Sequence, residues 1–183
     1  MKVVAFVGSP RENGNTVRIV GEILKGASEA GAETKVFSLN GMNIRPCQGC
    51  FHCRGAEECA TKDDMQKVYA EIKEAQAVII GSPVYMHQVS GQTKVFMDRL
   101  FPLIGPDFKP RFGSRKAVLV FSQGNPDPNA FKPALDDCAL MLGGMGMQVV
   151  DTVIFTGGND PEASVSNADL MTRARQIGQK LVK

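Results

Sequence analysis

No stretch of this 183-residue sequence approaches the roughly 18 consecutive apolar residues that a membrane span requires. The apolar run at its start covers only residues 3–7, short of the roughly 7–15 that the core of a secretory signal needs. The chain is therefore expected to remain in the cytoplasm. Charge of one sign is scarce as well. Lys and Arg number 21 against 19 Asp and Glu, a formal net charge of +2 with no basic block to recruit nucleic acid. There are only two histidines, and no His or carboxylate pair stands at a spacing that marks acid–base catalysis. Repeats, linkers and low-complexity tracts are missing too. Residues 1–183 are thus expected to form one domain, long enough for a sizeable core.

What the sequence does contain is concentrated in loops. The apolar strand 3–7 runs into Gly8-Ser9-Pro10-Arg11-Glu12-Asn13-Gly14-Asn15-Thr16, and helical spacing of Val17, Val20, Ile23 and Leu24 follows at once. Backbone N–H groups of such a loop converge with the first turn of the helix, whose dipole favours an anion. Ser9, Asn15 and Thr16 add side-chain donors, and Arg11 adds a permanent charge suited to phosphate oxygens. Read without a ligand, Asn15 or Thr16 would simply cap the helix. Two familiar phosphate loops are excluded, because the Walker ending Gly-Lys-Ser/Thr is absent and there is no GxGxxG. The loop argues for a phosphate, but not for ATP or a dinucleotide.

The periodicity predicts a helix over 16–31, a strand over 33–39 and an irregular, cysteine-rich stretch over 40–62. Asp63 and Asp64 then open a second helix. A continuous apolar strand over 77–81 reads as buried on both faces, followed by a loop over 82–87 and a third helix over 91–101. A Pro/Gly-interrupted loop covers 102–115, a fourth strand 117–121 and a loop 122–126. The helix over 131–141 carries Pro133 in its first turn, where it is tolerated. A fifth strand over 147–155 and a last helix over 167–181 complete the chain. Strands alternate with helices five times, which predicts an α/β fold with a parallel sheet and right-handed crossovers placing helices on both faces. Ligands of such sheets bind outside the carboxyl ends of the strands, at the topological switch point. The unusual loops fall at those ends.

The second loop, Gly81-Ser82-Pro83-Val84-Tyr85, offers backbone groups to the edge of a flat heterocycle and Tyr85 or Met86 to its face. Ser122-Gln123-Gly124 offers further donors at the next strand end. Together the three loops, with the later Lys94-x3-Asp98-Arg99, resemble the flavodoxin-like NAD(P)H-dependent FMN reductases over nearly the whole chain. The resemblance implies a flavodoxin-like, doubly wound five-stranded parallel sheet. It implies that Ser9, Arg11, Asn15 and Thr16 hold the FMN phosphate, and that Pro83, Val84, Tyr85 and Met86 line the isoalloxazine ring. Ser122, Gln123 and Gly124 would close the far edge. Met86-His87 stands where many relatives carry an aromatic residue or glycine. The implied activity is that of an FMN-dependent oxidoreductase with NAD(P)H as donor, in a homodimer or homotetramer.

Four of the five cysteines form Cys47-x2-Cys50-x2-Cys53-x5-Cys59. The missing export signal argues against disulfides, leaving metal or redox chemistry. Tight x2 spacing suits the corners of one cubane, zinc would accept the same sulfurs, and free redox-active thiols are the third reading. Ala60, rather than proline, follows the last cysteine. The run resembles the compact motif of the iron–sulfur flavoproteins, a branch of the same family, which implies one [4Fe–4S] cluster beside FMN. One-electron exchange with a carrier such as ferredoxin follows, with quinone, O2 or peroxide as sinks. Two alternatives stand beside this. One is a cluster-free NAD(P)H-dependent FMN or quinone reductase, with hydride transfer near Tyr85 and His87. The other is a non-enzymatic, zinc-stabilised binding module. Cys138 reads as a small core residue and His52 as an exposed loop histidine, while Lys94, Asp98 and Arg99 read as a solvated or salt-bridged set.

Overall fold

The computed structural model describes residues 1–183. Its strands are β1 (Lys2–Val7), β2 (Glu33–Ser38), β3 (Ala77–Tyr85), β4 (Gln88–Val89), β5 (Arg115–Gln123) and β6 (Met147–Thr156). The helices are α1 (Asn15–Glu29), a one-turn α2 (His52–Gly55), α3 (Met65–Glu74), α4 (Gly91–Asp98), α5 (Lys132–Gly144) and α6 (Ala168–Leu181). Five strands pair in parallel in the order β2-β1-β3-β5-β6, and β4 folds back antiparallel on β3. This is the flavodoxin-like doubly wound order, with its switch point between β1 and β3.

Strand alternation divides the interior into two apolar layers. Val4 and Phe6 of β1, Val78 and Ile80 of β3, and Leu119 and Phe121 of β5 point to the layer under α3, α4 and α5. Val3, Ala5 and Val7, with Ile79, Val118 and Val120, point to the layer under α1 and α6. Each fully buried side chain of this kind contributes roughly 1.5–3 kcal/mol. Central strands buried on both faces thus hold the ends of β1, β3 and β5 in register.

The boundaries differ from the sequence expectation where tertiary pairing overrides local signals. β3 continues through Ser82-Pro83-Val84-Tyr85, read above as loop. Gly8 N–H donates to Gly81 O, so residues 81 and 83 face the β1 side, where β1 has already ended. Pro83, which lacks an N–H, therefore costs no ladder bond there. Met86 and His87 form a two-residue hairpin turn into β4, both with positive φ (47° and 67°). β5 runs to Gln123 because Ser122 and Gln123 pair with Phe155 and Thr156 of β6. The cysteine stretch, expected to be irregular, contains α2, which carries Cys53. Pro133 sits in the first turn of α5, as expected. The cap of α1 is Gly14, with no side-chain bond, rather than Asn15 or Thr16. No helix is long and apolar enough to cross a membrane.

Candidate functional site

A polar cavity of about 200 Å³ opens at the carboxyl ends of β1, β3 and β5, against the N-terminus of α1. Ser9 and Arg11 enter its wall from the loop after β1, Asn15 and Thr16 from the first turn of α1, and Pro83, Val84 and Tyr85 from the end of β3. Ser122, Gln123 and Gly124 enter from the end of β5. The fold thus gathers all the residues that the sequence assigned to FMN except Met86, which is 93% exposed on the hairpin turn. His87 is not in the wall either; its ring packs against Phe131 at 4.9 Å between centroids.

The chemistry of the wall suits a phosphate ester carrying a polar ring. The first turn of α1 has no side-chain cap and no acidic residue, so its N–H groups stay free at the positive end of the dipole. Arg11 lies exposed at the rim; its backbone N–H donates to Ser9 Oγ, and its guanidinium is left without a protein partner. Thr16 Oγ1 and Ser122 Oγ share a buried hydrogen bond of 2.7 Å that ties α1 to β5. Gln123 donates through Nε2 to Asp127 O at 2.7 Å, while its buried Oε1 has no partner. Such an orphaned acceptor fits a ligand N–H or O–H. Tyr85 stands half exposed at the mouth.

Asn15 has a different occupation from the one expected of it. Its Nδ2 donates to Asp160 O at 2.6 Å and its Oδ1 accepts from Ser164 N–H at 2.9 Å, pinning the segment after β6. That segment brings Gly158 and Asn159 into the wall, two residues that sequence reasoning missed. A Cβ at Gly124 would meet the end of the Asn159 side chain, which would have to shift to admit it. The Gly157-Gly158-Asn159-Asp160 turn was the available signal. On the other side, Ser90 Oγ donates to Gly8 O at 2.7 Å and accepts from Thr93 N–H, fastening the first loop to α4.

Cys47, Cys50, Cys53 and Cys59 line a second cavity, of about 220 Å³, together with Arg99 and Phe101. All four are free thiols, Cys47 and Cys50 exposed, Cys53 and Cys59 half-buried. Burial pushes the Cys53 thiol up, and the neighbouring Cys59, Cys47 and Cys50 push it the same way. No three His, Cys, Asp or Glu side chains converge closely enough to hold a single metal ion. Four thiols lining one cavity are a donor set that either a cubane cluster or a zinc ion could use.

Buried polar groups brace this loop. Arg99, expected to be solvated or salt-bridged beside Asp98, is paired instead with Asp63 at 2.6 Å, and both side chains are 1% exposed. Its Nη1 also donates to Arg45 O at 2.6 Å and its Nη2 to Thr61 O at 3.2 Å. Asp63 accepts from the backbone N–H groups of Arg45 and Met65, and Asp64 accepts from that of Asn43. The two acids, read in sequence as a helix start, thus hold the cysteine loop. Burial pushes the Asp63 carboxyl up, but the hydrogen bonds from Arg99 and from the backbone N–H groups of Arg45 and Met65 together hold it below the usual carboxylate range. Arg111 Nη2 donates to Cys53 O at 2.8 Å. Lys94 and Asp98 form the exposed ion pair anticipated from their spacing. Cys138 is buried in α5 as expected, outside the cysteine cavity. It lines a larger, mostly apolar cleft of about 350 Å³ beside Met97, Met141 and Met145. Gln88, Lys94, Asp98 and Asp137 supply its polar lining, and Cys47 reaches it as well.

The strand order and the switch-point cavity define a flavodoxin-like doubly wound domain. Residues 1–162 match the NADPH-dependent FMN reductase family, and the chain belongs to that family. It is a flavin-dependent oxidoreductase by that membership. An iron–sulfur flavoprotein of Methanocaldococcus jannaschii is 32% identical over 100% of this chain and 96% of its own length. One from Archaeoglobus fulgidus is 42% identical over 58% of this chain, and the match spans only 54% of that protein. Among solved structures, an NAD(P)H:quinone oxidoreductase from Methanothermobacter marburgensis superposes with a TM-score of 0.75 at 20% identity, covering 100% of this chain and 98% of the other. An FMN-dependent NADH-azoreductase from Bacillus anthracis, in complex with FMN, gives 0.74 at 13% identity, with 100% of both chains covered. At such identities these two likenesses concern the fold.

Proposed function

We propose that FMN binds at the switch-point cavity and a [4Fe–4S] cluster at Cys47, Cys50, Cys53 and Cys59. The protein would then exchange electrons singly with a carrier such as ferredoxin. The observation that carries this reading is the gathering of all four spaced thiols on one cavity. The iron–sulfur flavoprotein names of the relatives support it. When bound, FMN supplies two-electron uptake and one-electron release, and the cluster supplies one-electron transfer. The chain's own work is to hold the two groups. The N–H groups of α1 and the Arg11 guanidinium bind the phosphate, Thr16 and Ser122 fix the wall, and Gln123 Oε1 accepts from the ring or its polyol. No side chain is asked to carry a proton, consistent with His87 lying against Phe131.

The test is the visible spectrum and iron content of protein purified without oxygen. Flavin bands with about four iron per chain are expected, as four-thiolate [4Fe–4S] ligation implies. Flavin without iron after anaerobic reconstitution would overturn the cluster and leave the FMN site standing. A second reading, a cluster-free NAD(P)H-dependent quinone reductase, is favoured by the half-exposed Tyr85 at the cavity mouth, which leaves room for a planar acceptor, and by the quinone oxidoreductase fold neighbour. Stopped-flow reduction by NADPH, with and without ferredoxin, separates the two. Membership of an enzyme family removes the non-enzymatic zinc module.

A further inference from the structure

Arg99 is the most deeply buried large side chain of the molecule that bears a charge, and its donors can be accounted for one by one. A guanidinium has five N–H groups. The two on Nη1 go to Asp63 Oδ2 and Arg45 O, and the two on Nη2 go to Asp63 Oδ1 and Thr61 O. The fifth, on Nε, is buried and has no partner. Arg99 lines the cavity that holds the four thiols. A charged donor left unsatisfied out of reach of water is unfavourable, so such a group calls for an acceptor that the bare chain lacks. Sulfur is the acceptor that this cavity offers in number.

We propose that Arg99 is the positioning residue of the cysteine cavity: its Nη groups clamp both arms of the cysteine loop, and its Nε–H donates to a sulfur of the bound iron–sulfur cluster. This rests on the cluster reading above. The clamp spans the loop, since Arg45 lies just before Cys47 while Thr61 and Asp63 lie just after Cys59. The sulfurs of a reduced cluster carry more negative charge than those of the oxidised one. A donor aimed at them therefore favours the reduced form and raises the potential. The same bond shields the cluster from displacement. A purely structural arginine would hold the loop but would leave the potential untouched.

The experiment compares the parent protein with Arg99→Lys and Asp63→Asn, each reconstituted without oxygen. Iron content, the rate of iron loss to a chelator, and the separate midpoint potentials of flavin and cluster are measured. Lysine keeps the charge but lacks the Nε–H of the fork, whereas Asp63→Asn keeps Nε–H and loosens the clamp. Arg99→Lys should lower the cluster potential, leave the flavin potential in place and lose iron roughly tenfold faster. Asp63→Asn should not lower the potential, because removing a nearby negative charge acts in the opposite direction. If Arg99→Lys binds no iron, retention by Asp63→Asn supports the proposal, and loss from both overturns it in favour of bracing alone. An Arg99→Lys cluster at the parent's potential and release rate also overturns it. Absence of iron from the parent defeats the cluster reading itself, a result distinct from either.

Discussion

The Asp63–Arg99 pair offers the most direct test of how the cysteine loop is held. Asp63→Asn changes one atom's chemistry and almost no volume, yet it leaves the Arg99 charge buried without a counter-charge; both side chains are 1% exposed in the intact pair. Removing one partner of a buried ion pair costs roughly 3–5 kcal/mol, against a few tenths for an exposed pair such as Lys94–Asp98. A domain's total stability is roughly 5–15 kcal/mol, so this loss should be plain in urea denaturation. With a slope of roughly 2 kcal/mol per molar urea, the midpoint should fall by about 2 M at pH 7. The pH dependence gives a second handle. The carboxyl of Asp63 is held below its ordinary value in the folded chain. Its contribution is therefore complete above the unfolded value of about 3.9 and is lost as pH falls through the lower, folded value. The gap between parent and variant should accordingly close on acidification below pH 4. A midpoint shift under about 0.5 M at pH 7, or a gap that widens in acid, would refute the reasoning.

Arg11→Ala should weaken FMN binding by roughly ten- to a hundredfold without lowering the unfolding midpoint, since Arg11 is exposed and unpaired; flavin fluorescence quenching measures this, and unchanged affinity would remove Arg11 from the site. Cys59→Ala should abolish or destabilise iron binding while FMN stays bound, and Cys138→Ala should leave the iron count alone because it lies outside the cysteine cavity. Iron bound equally by Cys59→Ala and its parent would break the four-thiol assignment. Placing Asn at Met86 and Gly at His87 relieves two left-handed residues of a hairpin turn and should stabilise the protein by about 1–2 kcal/mol, read as a rise of a few degrees in Tm. A lower Tm would mean that the packing of His87 on Phe131 outweighs the backbone strain.

The architecture was legible because the central strands are buried on both faces and therefore write continuous apolar runs, as at 77–81 and 117–121. The first loop was legible because a strand, a polar Gly-containing loop and an amphipathic helix follow one another without interruption. What escaped were partnerships between distant residues. Asp63 and Asp64 precede a helix, and the local rule for acids at a helix start gives no hint of a guanidinium 36 residues away in the chain. Arg99 follows Lys94 and Asp98 on α4, and helical spacing suggested a solvent face. One step past the end of that helix the chain turns inward, and the charge goes with it. Pro83 was misjudged for a similar reason. A proline ends a strand only if a neighbouring strand is waiting for its N–H, and β1 stops short of it.

These oversights converge on α4, which joins the two proposed cofactor sites. At its N-terminal end Ser90 holds Gly8 through its hydroxyl and accepts from Thr93 N–H. A Cβ on Gly8 would collide with the Thr93 and Ser90 side chains, so the loop after β1 sits as close to the helix as the backbone allows. Just past the other end of α4, Arg99 grips both arms of the cysteine loop. At 1.5 Å per residue, the nine steps from Ser90 to Arg99 span about 13 Å. The helix is short, packed through Phe96 and Met97 into the layer beneath it, and free of glycine beyond its first residue. It therefore behaves as a strut rather than a hinge, and the separation of the two loops within one chain is set by the length of α4. A substitution at either end that leaves the helix intact should disturb one site and spare the other.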